Sequence, residues 1–370
     1  MKYIKAAIID DGANPALFRN VSNFIISRNL KVTESDLSVR YGIHATLCMS
    51  VINKYTDISD IHWLNIQIIN IETGRSSHEQ FIRALEFCEE QDVKLIHLSL
   101  GTREYSDFPE IETKINVLLE KETVIVAALS NEGTLTYPAC IDGVIGVKED
   151  NREKDFNYLY VDDAIDNVNF LAPANHLIRI GGKLEFIERS NSFAAPVITA
   201  KVIEILRKDS NMSIEKVKEK LKKNAVCHVS AGSFKEYMDI NEEDITVPLI
   251  GVFMKDESSA ASLAKELNLL FIYNEYKAIY CSSRENGLFK FPATDILKYL
   301  LFLTKFSCCD IIIAGFSDKE IIRNSIPFDI ILTDVNGQVP YITEEDTSVI
   351  MVEGQSVSEI YSSVIKNFKE

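Results

Sequence analysis

The sequence predicts an α/β protein in two parts. Residues 1–226 read as a domain with a largely parallel sheet flanked by helices, and residues 247–370 as a smaller α/β domain. Three observations carry this. Short, continuously apolar runs recur along the chain, as strands do when both faces of a parallel sheet are covered. Amphipathic helical segments alternate with them, the pattern of βαβ units. The chain has 370 residues, 46% of them apolar, enough for two cores. Residues 227–246 are polar and mixed, and read as a linker.

Tyr3–Ile9 is the first strand, apolar and β-branched at its end, and runs into Asp10-Asp11-Gly12. Its basic, then apolar start is like that of a signal peptide. The apolar run is short, however, and no small-residue cleavage site follows, so a buried strand is expected instead. Gly42-Ile43-His44-Ala45-Thr46 leads an apolar helix that continues to Ile52. Trp63–Ile71 is the second strand. Ser77–Gln91 is an amphipathic helix with Phe81, Leu85 and Cys88 on one face. Val93–Leu100 is a third strand, ending in Ser99-Leu100-Gly101, and Ile111–Lys121 is a helix. Val124–Ala128 is an apolar run that continues into Leu129-Ser130-Asn131-Glu132-Gly133. Val144–Lys148 is a strand, and Asn151–Asn169, rich in aspartate, reads as surface. Phe170–Pro173 is a short strand. Ile178–Phe186 reads as a hairpin about Gly181-Gly182, returning to Ser190-Asn191-Ser192-Phe193-Ala194-Ala195-Pro196 and the helical run Val197–Leu206. The Lys- and Glu-rich helix Ser213–Asn224 closes the first domain. In the second, Pro248–Phe253, Leu269–Tyr273, Lys277–Cys281, Asp310–Ala314, Asp329–Leu332 and Ser348–Val352 read as strands. Ser258–Leu267, Ala293–Phe306 and Val357–Phe368 read as helices.

Composition narrows the function. With 39 basic against 55 acidic residues, the net charge is −16, which argues against nucleic acid or an anionic membrane as partner and suits cationic peptides. No apolar run reaches the length of a membrane span. Seven cysteines, without CxxC pairs, indicate reduced thiols and a cytoplasmic location. Cys227-His228 and Cys308-Cys309 fit no common zinc spacing, and no dense acidic loop offers calcium ligands, so neither metal nor cofactor is expected. From Val247 onward there is no Walker or G-x-G-x-x-G loop. The 17 acidic and 11 basic residues there do not make a basic binding module.

Four residue types carry the chemistry. A serine where an irregular segment becomes a helix exposes its hydroxyl beside unpaired N–H donors. A histidine at a helix start can turn one ring nitrogen to a serine and the other to an acid. A carboxylate at the carboxyl end of a parallel strand lies where α/β sheets carry their sites. An asparagine amide can donate to a developing oxyanion. Singly, Asp10 reads as a turn, His44 as a satisfied core residue, Gly101 as a turn and Asn131 as a loop cap.

Taken together, the segments closely resemble those of subtilisin-like serine proteases. Ser192, Ala194 and Pro196 match the family's G-T-S-M-A-x-P, and His44 and Thr46 match its H-G-T. Ser99 and Gly101 match S-x-G, Asn131 the end of A-A-G-N, Tyr137-Pro138-Ala139 a Y-P-A segment, and Ala172-Pro173 the start of A-P-G. The order Asp, His, Ser is the subtilisin order. Asp11, Ala45, Ser130, Ala174, Ser190, Asn191 and Phe193 depart from the pattern and mark a divergent member. The resemblance implies a subtilisin-like fold for residues 1–226 and hydrolysis of peptide bonds by Asp10, His44 and Ser192, with Asn131 in the oxyanion hole. It also implies a substrate strand held by Ser99, Leu100 and Gly101 and by Ala128, Leu129 and Ser130. Asp10 lies so near the start that neither signal nor propeptide is expected. A selective cytoplasmic processing protease follows, similar to those that remove leaders from ribosomally made, modified peptides. The second domain would recognise the precursor peptide or hold a homodimer. A second reading, a catalytically silent peptide-binding scaffold, draws on the lost glycines; retention of all four chemical residues weighs against it.

Overall fold

The apolar runs become strands buried on both faces. In a computed structural model, residues 4–35, 42–150, 157–162, 164, 166–230, 247–282, 296–317, 326–334 and 347–369 are described. The chain divides into two compact units, residues 1–102 with 107–233, and residues 103–106 with 234–370.

The first unit contains, in chain order, β1 (Ile4–Asp10), β2 (Val21–Ile26), β3 (Val32–Glu34), α1 (His44–Tyr55), β4 (Ile61–Gln67), α2 (His78–Glu90), β5 (Leu95–Leu98), α3 (Phe108–Glu120), β6 (Val124–Ala128), β7 (Ile145–Glu149), β8 (Leu159–Val161), β9 (Phe170–Ala172), β10 (His176–Ile180), β11 (Lys183–Ile187), α4 (Asn191–Lys208), α5 (Ile214–Asn224) and β12 (Cys227–Val229). Its main sheet runs β12-β8-β9-β7-β6-β5-β1-β4-β2-β3. All neighbours are parallel except β2–β3 and β8–β9. β1 lies at its centre, between β4 and β5, so Asp10 ends a central strand. Ile8 and the α4 residues Val197, Ile198 and Val202 are fully buried in one core cluster. The helix carrying the serine is thus a core element rather than a surface one.

Several expectations are corrected. The sequence reading assigns no element between residues 13 and 41, where β2 and β3 form; most of their residues are only half-buried or exposed, so they lack the continuous apolar run of a central strand. Asn151–Asn169, expected as surface, contains β8, with Tyr158, Leu159 and Val161 buried. Residues 227–229, expected in the linker, are β12, which pairs in parallel with β8 while the His228 ring packs 5.4 Å from that of Tyr160. The rest of that linker, 231–246, lies outside the described residues. The hairpin forms where expected. Gly181 and Gly182 both have positive φ, 53° and 86°, the backbone that a two-residue hairpin turn needs.

The second unit contains β13 (Leu249–Met254), α6 (Glu257–Tyr273), β14 (Ala278–Ser282), α7 (Ile296–Phe306), β15 (Ile311–Ser317), β16 (Ile330–Thr333), β17 (Ser348–Met351) and α8 (Val357–Asn367). Its sheet is parallel throughout, in the order β14-β15-β13-β16-β17. Leu269–Tyr273, expected as a strand, is the end of α6. Ala260, Ala264, Leu267 and Phe271 recur at helical spacing and are buried, while Leu269 and Tyr273 face outward. The first residues of the expected helix Ala293–Phe306, 293–295, lie outside the described residues. No helix among the described residues is long and apolar enough to cross a membrane.

Candidate active site

Asp10 is wholly buried at the carboxyl end of β1. Its Oδ1 accepts from the Asp11 N–H at 2.7 Å, and its Oδ2 meets Nδ1 of His44 at 2.8 Å. This leaves Nε2 of His44 as the basic nitrogen without a hydrogen bond among the described residues. His44 opens α1, whose own N-cap, Ile43, makes no side-chain capping bond. The missing cap comes from Asp11, whose carboxylate accepts from the N–H groups of His44 at 3.0 Å and Ala45 at 2.8 Å. Gly42 makes room for it; a Cβ there would lie 1.8 Å from Asp11 Oδ2. Two adjacent carboxylates therefore do different work, one holding the ring and the other the helix that carries it. Burial opposes a charge on His44, yet the hydrogen bond and charge of Asp10 and the charge of Asp11 outweigh it and raise the pKa above 6.5. Burial, together with the Asp10 charge, raises the pKa of Asp11 as well.

Ser192 is the second residue of α4, at the positive end of an 18-residue helix. Its hydroxyl donates to the Ser99 carbonyl at 3.4 Å, a long contact, and among the described residues it makes no hydrogen bond to His44. Phe193, at the family's methionine position, places its ring 5.4 Å from that of His44.

Asn131 lies in the turn after β6. Its Oδ1 accepts from the Asn191 N–H at 2.8 Å, which fixes the flip of the amide. Among the described residues neither its Nδ2 nor the N–H of Ser192 is engaged in a hydrogen bond. One donor is thus on the serine turn itself and the other on Asn131, whose amide is held by the N–H of the neighbouring Asn191, a pairing that suits an oxyanion. Asn191 is the residue whose role the sequence did not reveal. It is buried; its Oδ1 accepts from the Glu149 N–H at 2.7 Å and its Nδ2 donates to the Ser130 carbonyl at 2.6 Å. With its own N–H on Asn131, it joins the serine turn, the asparagine turn and the end of β7. A polar residue at a helix start was the one signal available.

The segments assigned to substrate follow β5 and begin at the last residue of β6. Ser99 and Leu100 are half-buried and Gly101 is exposed. A Cβ on Gly101 would lie 2.6 Å from the Tyr137 carbonyl, so only glycine fits beside that strand bridge. Ala128 and Leu129 are buried, and Ser130 is fixed by its N–H on Thr136 Oγ1 and its hydroxyl on Thr134. Among the described residues, Asp10, His44 and Cys48 bring possible metal-ligand atoms together, within 4.8 Å. Burial pushes the Cys48 thiol well above its ordinary pKa, however, and the other two are bonded to each other.

A buried carboxylate on an imidazole, a serine at a helix start and, among the described residues, two unengaged donors beside it are the groups that a nucleophilic, hydrolase-type constellation on an α/β sheet uses. Residues 2–243 match the subtilase family, well over half of the chain, and the protein belongs to that family. It is 25% identical over 122 residues to the major intracellular serine protease of Bacillus subtilis (strain 168), a match covering 31% of this chain and 37% of that relative's length. Similar solved structures include a cold-adapted subtilisin-like serine proteinase, at 13% identity and a TM-score of 0.47, covering 60% of this chain and 84% of that one. A lanthipeptide protease is 16% identical with a TM-score of 0.48, covering 60% of this chain and 80% of that one.

Proposed function

We propose that the protein is a serine endopeptidase. Ser192 attacks the scissile carbonyl. His44 Nε2 takes the serine proton and delivers it to the leaving amine, and a water then repeats the cycle on the acyl-enzyme. Asp10 holds Nδ1–H and stabilises the charged ring. Asn131 Nδ2 and the Ser192 N–H receive the oxyanion. The observation that carries this reading is the 2.8 Å contact between a wholly buried carboxylate and His44, which leaves Nε2 as the base. For catalysis the Ser192 hydroxyl must leave the Ser99 carbonyl and meet Nε2; such bonds commonly tighten only when substrate is bound. The same turned hydroxyl is what a silent peptide-binding scaffold would show. Incubating the protein with a mixture of peptides and following cleavage by mass spectrometry separates the two. Products with the wild type and none with Ser192→Ala support the peptidase; intact peptides with both support the scaffold.

The finer reading is a selective cytoplasmic protease that removes a leader from a modified peptide precursor, with the second unit recognising the precursor or joining two copies. Its support is the divergence around the site and the presence of that second unit. Faster cleavage of a full precursor than of a short peptide spanning the same junction is the expected result. Equal kcat/KM on both would count against it.

A further inference from the structure

The helix that carries the nucleophile has a built-in defect. The Ser192 carbonyl would accept from the N–H of the residue four further on, and that residue is Pro196, which has none. An acceptor at the heart of the site is thus left over. It is met by the Ser99 hydroxyl at 2.9 Å, with the Cys48 thiol 3.6 Å away. Behind Ser99 stands His97, wholly buried on β5 and unused by the chemistry above. Its Nε2 is 3.0 Å from Ser99 Oγ, and its Nδ1 is 2.8 Å from Thr199 Oγ1, one turn below Ala195 on α4.

The protons of this chain can be assigned from the carbonyl outward. A carbonyl only accepts, and the Ser99 hydroxyl at 2.9 Å is a closer and stronger donor to it than the Cys48 thiol at 3.6 Å, so the Ser99 proton goes to Ser192. Ser99 Oγ is then the acceptor for His97, whose proton sits on Nε2. Nδ1 therefore accepts from the Thr199 hydroxyl. The other acceptor near Thr199, the Ala195 carbonyl at 3.1 Å, has the Thr199 N–H as its helical partner and is not left unmet. We propose that His97 is a positioning residue, held as the neutral Nε2–H tautomer, which through Ser99 anchors the Ser192 carbonyl that Pro196 leaves without a helical donor. The proposal rests on the hydrolase reading for its effect on rate, but not for its hydrogen-bond pattern. Burial, reinforced by the positive charge His44 takes up and opposed by Asp10, lowers the His97 pKa to about 4, so the ring stays neutral where the catalytic ring titrates. The thiol of Cys48, against Ser99, is protonated over the same range.

Two measurements on the full chain test this. The first is long-range ¹H–¹⁵N correlation of the histidine rings, with His97→Gln to assign the signals. The expected result is a protonated Nε2 and a bare Nδ1 at His97, unchanged from about pH 6 upward. A proton on Nδ1, or a ring that charges together with His44, overturns the proposal. The second is the rate at which a fluorophosphonate labels Ser192. Ser99→Ala should slow it about tenfold, the order of one lost hydrogen bond, while Ser99→Thr, which keeps the hydroxyl, should restore it. Pro196→Ala supplies the missing N–H, and in that background Ser99→Ala should slow labelling by less than about threefold. Equal slowing in both backgrounds overturns the anchoring role. If the wild type is not labelled at all, the hydrolase reading fails, and the tautomer measurement decides the hydrogen-bond chain by itself.

Discussion

At the scale of single residues, the site was legible where a side chain does its own chemistry, and obscure where it works through another. Asp10, His44, Asn131 and Ser192 stood out because each type is needed for a known step and their order fits one family. Asp11 and Asn191 did not, because their side chains' partners are backbone groups far away in sequence: the start of α1 for Asp11, and the Ser130 carbonyl with the Glu149 N–H at the end of β7 for Asn191. Nothing in an Asp-Asp-Gly or Ser-Asn-Ser string tells which backbone donor will arrive. Asn131→Ala should lower kcat by roughly 10² to 10³ with little change in KM, because the oxyanion exists only in the transition state. A change confined to KM would place Asn131 on the substrate instead. The pH profile is a second residue-scale test. In the proposed mechanism the neutral form of His44 is the base, and its pKa is raised above 6.5, so kcat/KM should rise with pH to a midpoint above that value. Asp11→Asn removes a negative charge that raises this pKa, so the midpoint should move down; an unmoved midpoint would show that Asp11 acts only as a cap.

At the scale of elements, strands and helices buried in the sheet's interior were legible from their apolar runs, and those at its edges were not. β1 is apolar and buried almost throughout, whereas β2 is half-buried along most of its length and β12 is a three-residue segment inside a polar stretch. The helix α1 shows how elements lock the site. It begins at His44 without a cap of its own, and Asp11 from β1's end supplies one. Gly42→Ala should therefore damage both stability and rate. Its Cβ would collide with the Asp11 carboxylate, and an overpacked contact of this kind costs about 1–3 kcal/mol. Thermal unfolding and kcat should fall together in this variant. Normal activity in a merely less stable protein would separate the cap from the site.

At the scale of the whole molecule, the chain divides into two compact units, and β12 completes the sheet edge of the first from inside the polar stretch that composition alone reads as a linker. A chain ending at residue 226 lacks β12 and uncovers β8, while one ending near 240 keeps it. The shorter piece should unfold at lower temperature or aggregate, and the longer should retain cleavage of a short peptide while losing preference for the full precursor. Equal losses on both substrates would give the second unit a structural role instead. The central claim is that Ser192 is a nucleophile activated by His44 and Asp10. Labelling of the folded protein by a fluorophosphonate, with the modified residue located by mass spectrometry, tests it most directly. The account predicts one label per chain on Ser192, lost in Ser192→Ala and nearly lost in His44→Ala. A folded wild-type protein that takes no label, or takes it equally in Ser192→Ala, would contradict it.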